Sequence, residues 1–199
     1  MTITYIYGTS LYVNITNRCT NSCEFCVRTT SDGFYSDDPL WLEREPTRAE
    51  ILEDILARSL SDFGELVFCG YGEPTMRLSD MLWVARRVKA VSEIPVRLNT
   101  NGHCNLIYGD DMSPLFEGAV DVISISLNTA DAVSYDRICH SVYGEDAYGA
   151  VIDFAARVKE FVPKTILSVV RGTISEDDID VCKKTAEDAG VGLRVRELV

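Results

Sequence analysis

Histidine, long apolar runs and a basic N-terminal start are scarce or absent in this sequence. Only two of its 199 residues are histidine, no apolar run approaches the roughly 20 residues that span a bilayer, and no basic start precedes an apolar stretch at the N-terminus. These absences argue against a transmembrane protein and against a secretory leader. We therefore expect a soluble cytoplasmic protein that has no membrane partner.

Cationic residues are also in the minority, because 19 lysines and arginines stand against 31 aspartates and glutamates and give a net charge of −12. A surface of this sign repels phosphate backbones, so a nucleic-acid partner is unlikely, although a local basic patch would leave it open. The hydrophobic fraction of 46% is that of a globular protein. The length predicts a single domain over residues 1–199, with no C-terminal extension.

Seven cysteines are present, and an odd number in a reducing cytosol argues against a disulfide framework. Cys19, Cys23 and Cys26 lie within eight residues of one another, in the spacing Cys-x3-Cys-x2-Cys. The others are scattered singly, at Cys69, Cys104, Cys139 and Cys182. The sequence therefore predicts one metal site, at the clustered cysteines.

Strand and helix patterns alternate six times along the chain. Strands are predicted at 11–16, 65–69, 96–100, 122–128, 165–172 and 193–198, and helices at 45–60, 79–92, 113–118, 130–162 and 175–190. This alternation is typical of parallel α/β architecture. A closed eight-unit barrel needs about 250 residues, so we predict a partial (β/α)6 barrel of parallel strands that is open on one side.

The predicted strands alternate polar and aliphatic residues, whereas buried parallel strands usually read as continuous apolar runs. In "SISLN" the polar positions share one face, and the same pattern recurs around Asn14 and Arg97. The simplest interpretation places aliphatic faces under the helices and polar faces around a wet interior cavity. An open sheet with one solvated face is the alternative.

Residues 27–46 form a long polar segment without clear periodicity, and it carries the aromatic residues Phe34, Tyr35 and Trp41. A loop of this length in a compact domain is often functional. We expect it to cover the barrel mouth and to become ordered when a substrate or a partner binds.

Three clustered cysteines leave a metal centre one ligand short. Four thiolates close the coordination shell, whereas a [4Fe–4S] cluster held by three cysteines leaves one iron open to a substrate or cofactor. A zinc site of three cysteines and one histidine is an alternative, but neither His103 nor His140 has ligand spacing to the cluster. Three unligated loop cysteines are a further alternative.

The cysteine spacing directly after the first predicted strand, with Phe25 before the third cysteine, resembles the radical S-adenosylmethionine (SAM) superfamily. The resemblance implies that SAM chelates the open iron and that Phe25 lies near its adenine. One electron would cleave SAM to methionine and a 5′-deoxyadenosyl radical, which abstracts hydrogen from the substrate. An external one-electron donor of the flavodoxin or ferredoxin type and oxygen sensitivity are also implied.

A second similarity lies at the end of the second predicted strand. Gly70, Tyr71, Gly72, Glu73 and Pro74 resemble the superfamily's Gly-Gly-Glu-Pro motif, with Tyr71 as a one-residue departure. By this resemblance the segment binds SAM: the glycines let the backbone approach the ligand, and Glu73 pairs with the methionine ammonium group.

The resemblance implies further SAM contacts at strand ends, although each could be an ordinary polar residue there. These contacts are Thr100, Asn101, Ser126, Asn128 and Arg171. Arg171 would meet the methionine carboxylate.

The phrases "LWLEREPT", "CGYGEP" and "SISLNTAD" are similar to a small subfamily, the TatD-associated radical SAM proteins. No catalytic residue is assigned. Asn14 and Arg196 are the candidate substrate contacts, Arg196 for an anionic group. A protein or peptide substrate is slightly preferred over a small molecule or nucleotide. The alternative function is a non-catalytic iron–sulfur or zinc module for electron transfer or scaffolding.

Overall fold

The computed structural model describes residues 1–30 and 40–197 of the chain. One seven-stranded sheet runs through this part, in the order β1-β2-β3-β4-β5-β6-β7. The strands are β1 (Thr4–Tyr7), β2 (Ser10–Val13), β3 (Glu65–Phe68), β4 (Val96–Thr100), β5 (Val122–Ser126), β6 (Lys164–Val170) and β7 (Gly192–Arg196).

Strands β2 to β7 pair in parallel, each with the next along the chain. β1 adds an antiparallel edge, with Thr4 opposite Val13. The linear strand order leaves β1 and β7 at opposite edges of the described sheet. The predicted partial (β/α)6 barrel, open on one side, is therefore confirmed.

Helices connect the parallel strands. They are α1 (Val27–Thr30), α2 (Arg48–Leu56), α3 (Leu78–Lys89), α4 (Cys104–Tyr108), α5 (Ala132–Cys139), α6 (Asp146–Val158) and α7 (Glu176–Asp188), with 3-10 turns at Leu60–Asp62, Pro74–Arg77 and Ser113–Phe116. Helix α2 begins with a capping box, in which Thr47 and Glu50 satisfy each other's backbone N–H groups.

Several predicted boundaries were wrong. β1 and α4 were not predicted. The helical region at 130–162, for which the sequence predicts a break near Gly144, is two helices, α5 and α6, and the predicted break is confirmed. The predicted loop at 27–46 begins with helix α1. Phe34 and Tyr35, with the rest of 31–39, lie outside the described residues, so the expectation for the barrel mouth stays a prediction.

The two faces of the sheet differ as the alternation predicted. Ile123 and Ile125 of β5 are fully buried with the aliphatic core under the helices. Ser124 and Ser126, on the opposite face of β5, line an interior cavity. The polar interior inferred from the sequence is therefore present.

No helix among the described residues combines the length and the apolar character needed to cross a membrane.

The packing of the core predicts a side-chain truncation that lowers the free energy of unfolding strongly. Phe154 of α6 is fully buried against Phe116, with ring centroids 5.8 Å apart. Phe154→Ala should lower the free energy of unfolding by about 3–5 kcal/mol because it leaves a cavity in the core. Denaturant titration of the wild type and this variant checks the loss. Leu115→Ala is the control, because Leu115 is 46% exposed. Equal losses in the two variants would contradict the assigned core.

Candidate functional site

The loop that carries the clustered cysteines follows β2 and is anchored to the C-terminus of α5. The backbone N–H of Ser22 donates to the carbonyl of Cys139 at 2.9 Å, and that of Glu24 donates to Ile138 at 3.0 Å. These carbonyls are among the last of the helix, which have no intrahelical partner. The N–H groups of the cysteine loop therefore supply hydrogen bonds to the unpaired carbonyls at the end of the helix.

A buried polar network fixes the same loop from inside. Asn101 donates to the Thr20 hydroxyl at 2.8 Å, and that hydroxyl lies 2.8 Å from His103 Nδ1. The other ring nitrogen, Nε2, lies 3.0 Å from the Tyr135 hydroxyl, which accepts a hydrogen bond from Asn21 at 3.0 Å. Thr20 and Asn21 stand between the first two clustered cysteines, so β4 and α5 both hold the cysteine loop.

The histidines do not supply a fourth metal ligand. Burial lowers the pKa of His103 to about 4, so its ring is neutral, and both ring nitrogens are engaged by Thr20 and Tyr135. His140 pairs with Glu24 at 3.4 Å. The zinc site of three cysteines and one histidine therefore has no histidine to complete it.

The three clustered thiols are half-buried. Burial raises the pKa of Cys19 to about 12 and also raises that of Cys26, so a bound metal must supply the charge that makes them thiolates. Among the described residues, no three metal-ligating side chains converge on a single ion. A cubane cluster binds each thiolate to a different iron, which suits three thiols spread along one loop.

Cys139 is a neighbour of this site that the sequence analysis did not identify. Its thiol is in hydrogen-bond contact with Cys23, and it accepts a hydrogen bond from Asn128 at 3.4 Å. Nothing in its sequence position indicates this contact, because it arises from the packing of α5 on the cysteine loop. Cys182, by contrast, is fully buried in the core.

The glycines at 70 and 72 are required by the chain itself. A Cβ atom at Gly70 would overlap the side chain of Asn14, and one at Gly72 would overlap the backbone of Thr16 and Arg18. The predicted reason for these glycines, close approach to a ligand, is therefore not the one that the structure shows. They let the loop after β3 pack against the segment after β2.

Glu73 is buried and strongly hydrogen-bonded. Its Oε1 accepts from Thr75 N at 2.9 Å, Thr75 Oγ1 at 2.7 Å and Thr100 Oγ1 at 2.8 Å, and its Oε2 accepts from Asn101 N at 2.7 Å. Burial raises the pKa of Glu73, which these hydrogen bonds oppose. Only Oε2 retains a lone pair for the predicted ammonium contact. The observed role is to position Thr100 and Asn101 beside the cysteine loop.

A cavity of about 460 Å³ lies on the polar face of the sheet. The described residues that line it are Tyr5, Tyr7, Tyr12, Val27, Leu40, Cys69, Gly70, Tyr71, Arg97, Asn99, Ser124, Ser126, Ser168, Arg194, Val195, Arg196 and Glu197. Four predicted site residues are among them: Gly70, Tyr71, Ser126 and Arg196. Phe25 is half-buried and does not line the cavity.

Two predicted contacts lie elsewhere. Asn14 is fully buried, its amide donates to the carbonyl of Leu40 at 2.6 Å, and it is not among the residues that line the cavity, so its contact with substrate stays a prediction. Arg171 is on the surface, where it forms ion pairs with Glu176 and Glu197. The structure therefore does not bring Arg171 to the cavity.

Two asparagines near the cysteine loop have buried acceptors to spare. The side-chain oxygens of Asn21 and Asn128 have no hydrogen-bond partner in the part of the chain that is described. Asn128 adopts a left-handed backbone conformation, with φ of 65°. Buried unsatisfied groups are rare, and a ligand with N–H or O–H donors would satisfy them. SAM carries such donors on its ammonium group and ribose, so these residues fit that cofactor.

Comparison with known proteins identifies the family. A model of the Radical SAM superfamily matches residues 13–185, which is most of the chain. The chain belongs to this superfamily, as its cysteine motif predicted. Members of the superfamily use a [4Fe–4S] cluster and SAM, so the two predicted cofactors are confirmed at the level of the family.

Two curated relatives are named GTP 3′,8-cyclases. The chain is 29% identical over 170 residues to the protein of Heliobacterium modesticaldum, covering 85% of this chain and 48% of that one. It is 28% identical over 137 residues to the probable enzyme of Methanothermobacter marburgensis, covering 68% of this chain and 40% of that one. The chain therefore spans less than half of either relative.

Solved structures share the fold. A radical SAM methyltransferase from Sphaerobacter thermophilus matches with a TM-score of 0.66 at 16% identity, over 98% of this chain and 57% of that one. Streptococcus suis SuiB bound to S-adenosylmethionine matches with a TM-score of 0.68 at 17% identity, over 97% and 40%. The narrower similarity to the TatD-associated subfamily stays a prediction.

The polar network predicts a specific effect of one hydroxyl. Tyr135→Phe removes the partner of His103 Nε2 and of the Asn21 side-chain amide, while His103 keeps its contact with Thr20. The free energy of unfolding should therefore fall by about 1–3 kcal/mol. Hydrogen exchange at Thr20 and Asn21 should accelerate. Tyr143→Phe is the matched control, because the Tyr143 ring packs edge-on against His103 at 5.5 Å and its hydroxyl is outside the network. Equally slow hydrogen exchange of the cysteine loop in both variants would contradict the anchoring role of the Tyr135 hydroxyl.

The packing of the glycine loop gives a second prediction. Gly72→Ala should lower the free energy of unfolding by roughly 1–3 kcal/mol, because its Cβ would overlap the backbone of Thr16 and Arg18. Gly149→Ala, in helix α6 with open space around it, should raise it by about 0.5–1 kcal/mol. Chemical denaturation of both variants checks the pair, and unchanged stability of Gly72→Ala would refute the close contact.

Proposed function

We propose that this chain is a radical SAM enzyme in which Cys19, Cys23 and Cys26 hold a [4Fe–4S] cluster. The observation that carries the proposal is the shared anchoring of the cysteine loop and the strand ends. Asn101 joins the two, since its side chain donates to Thr20 and its backbone N–H donates to Glu73. These contacts support the proposal because they hold the predicted cluster ligands beside the loop after β3, which contributes to the cavity wall.

When bound, the cluster and SAM supply a 5′-deoxyadenosyl radical that abstracts hydrogen from a substrate. The chain's own residues orient and shield this chemistry. The free side-chain oxygens of Asn21 and Asn128 are acceptors for hydrogen-bond donors on SAM. Gly70, Tyr71 and Ser126 form the adjoining cavity wall. Glu73 acts as a positioning residue through Thr100 and Asn101.

The reaction needs one electron from outside the chain, and we assign it to a donor of the flavodoxin or ferredoxin type. The half-buried cysteine loop gives such a partner a short path to the cluster. The relatives do not fix the substrate, because this chain spans less than half of them and they differ: two are named GTP 3′,8-cyclases, and SuiB was solved with its precursor peptide.

A non-catalytic iron–sulfur or zinc module is the competing function. An electron-transfer module has no need of a polar cavity beside its cluster, whereas an enzyme does. The engagement of both histidines argues further against zinc. The cavity therefore favours catalysis.

The proposal predicts the metal content. Anaerobically prepared protein should hold about four irons and four sulfides per chain. Replacing Cys19, Cys23 and Cys26 together by alanine should abolish the cluster, whereas Cys182→Ala, a change in the core, should retain it. Iron and sulfide analysis with electron paramagnetic resonance checks this. After addition of SAM and a strong reductant, only the cluster-bearing proteins should release 5′-deoxyadenosine.

Two outcomes would contradict the proposal. One is stoichiometric zinc in an anaerobic preparation that resists iron loading. The other is a full cluster that binds SAM and yields no 5′-deoxyadenosine, which would favour the non-catalytic module.

A further inference from the structure

We propose that the cavity binds its substrate through an oxyanion, a phosphate or carboxylate of a small molecule, held by Arg97, Arg194 and Arg196. The inference rests on the proposed function only for the reaction that follows binding. It differs from the slight preference for a peptide that the sequence suggested, because it commits to a small anionic ligand.

The charge of the cavity is opposite to that of the chain. Among the described residues that line it, three are arginines and one, Glu197, is acidic. The Glu197 side chain is 80% exposed and pairs with Arg171 at 3.4 Å, so it does not neutralise the cavity wall. A cationic cavity in a protein of net charge −12 concentrates small anions at this place.

The sheet places hydroxyl groups beside the cations. Arg194 of β7 is the strand partner of Ser168 of β6, which in turn is the partner of Ser126 of β5. All three residues line the cavity. Arg196 lies two residues further along β7, on the same face. Hydroxyl and guanidinium donors in one row are the groups that bind oxyanions in proteins.

Arg97 lies on β4, in the middle of the sheet, and is held in place. Its guanidinium pairs with Glu65 at 2.8 Å and lies 3.4 Å from the Tyr12 hydroxyl. Its Nε is buried and has no hydrogen-bond partner among the described residues. A fixed cation with a spare buried donor suits a ligand that brings an acceptor, since an unsatisfied buried donor costs free energy.

Cys69 lies on the cavity wall together with these arginines. Burial raises the pKa of its thiol, whereas a hydrogen bond with Asn99 and the charges of Arg196 and Arg97 act to lower it. Part of the wall is aromatic, with Tyr5 and Tyr12 ring centroids 5.2 Å apart. The cavity wall therefore combines arginines of β4 and β7 with tyrosine rings of β1 and β2, and Arg97 contacts one of those tyrosines, which suits an anionic ligand that also has an apolar part.

The size of the cavity sets the class of ligand. A volume of about 460 Å³ is within the range of small-molecule sites, roughly 300–1,000 Å³. A polyanion such as a nucleic acid would also meet the acidic outer surface, which repels it. A small phosphate or carboxylate avoids this repulsion once it is inside the cavity.

The test uses the anaerobically reconstituted protein with cluster and SAM bound. Calorimetric titration with pyrophosphate and with glutarate distinguishes a phosphate from a carboxylate site. The double variant Arg194→Ala/Arg196→Ala should bind the preferred anion about tenfold more weakly or worse. Arg157→Ala is the matched control, because this arginine pairs with Asp153 on the surface of α6, and it should leave the affinity unchanged.

SAM affinity is measured on the same samples, because the methionine carboxylate is itself an oxyanion. A twofold or smaller change in SAM affinity in the double variant supports a substrate site, and an equal loss of SAM and anion overturns it. Failure of both anions to bind at millimolar concentration, or equal weakening in Arg157→Ala, also overturns it.

Iron content and 5′-deoxyadenosine release are recorded in parallel. Their failure with anion binding intact would refute the proposed radical chemistry and leave the anion site standing. A full cluster with 5′-deoxyadenosine release but without anion binding would support the radical chemistry and overturn the anion site.

Discussion

The site depends on a neutral, buried histidine. His103 bridges the Thr20 hydroxyl of the cysteine loop and the Tyr135 hydroxyl of α5. Burial lowers the pKa of His103 to about 4, which keeps the ring neutral at physiological pH, so that one ring nitrogen donates and the other accepts. The cysteine loop is therefore positioned by hydrogen bonds that loss of this ring would break.

Glu73 extends this constraint to the strand ends. Its carboxylate binds both Thr100 and Asn101, and Asn101 in turn binds Thr20. The segment that the superfamily resemblance assigns to SAM is thus part of the same framework as the cysteine loop. Such buried polar networks rigidify a site, and the free side-chain oxygen of Asn21 leaves this one an acceptor for a cofactor.

Much of the fold could be predicted from sequence, because six parallel strands and their capped helices have local patterns. β1 was missed because part of its support comes from a distant residue, Asp54, whose carboxylate accepts from Thr4 N and Thr4 Oγ1. Burial could not be predicted for Asn14, because it depends on the packing of Leu40, whose carbonyl accepts from the Asn14 amide. The cysteine motif predicts the cluster loop, whereas the contact of Cys139 with Cys23 depends on packing that no spacing rule describes.

The polar face of the sheet explains why the fold can host radical chemistry and an anionic ligand together. Alternation along each parallel strand puts aliphatic residues under the helices, where Ile123 and Ile125 are fully buried, and leaves the other face for Ser124 and Ser126. The aliphatic face carries the main hydrophobic core, so side chains of the polar face can vary at little cost to that core. Basic residues on the last strand then add charge to the cavity at little cost to the core, because β7 is the open edge of the described sheet and Arg194 is exposed there.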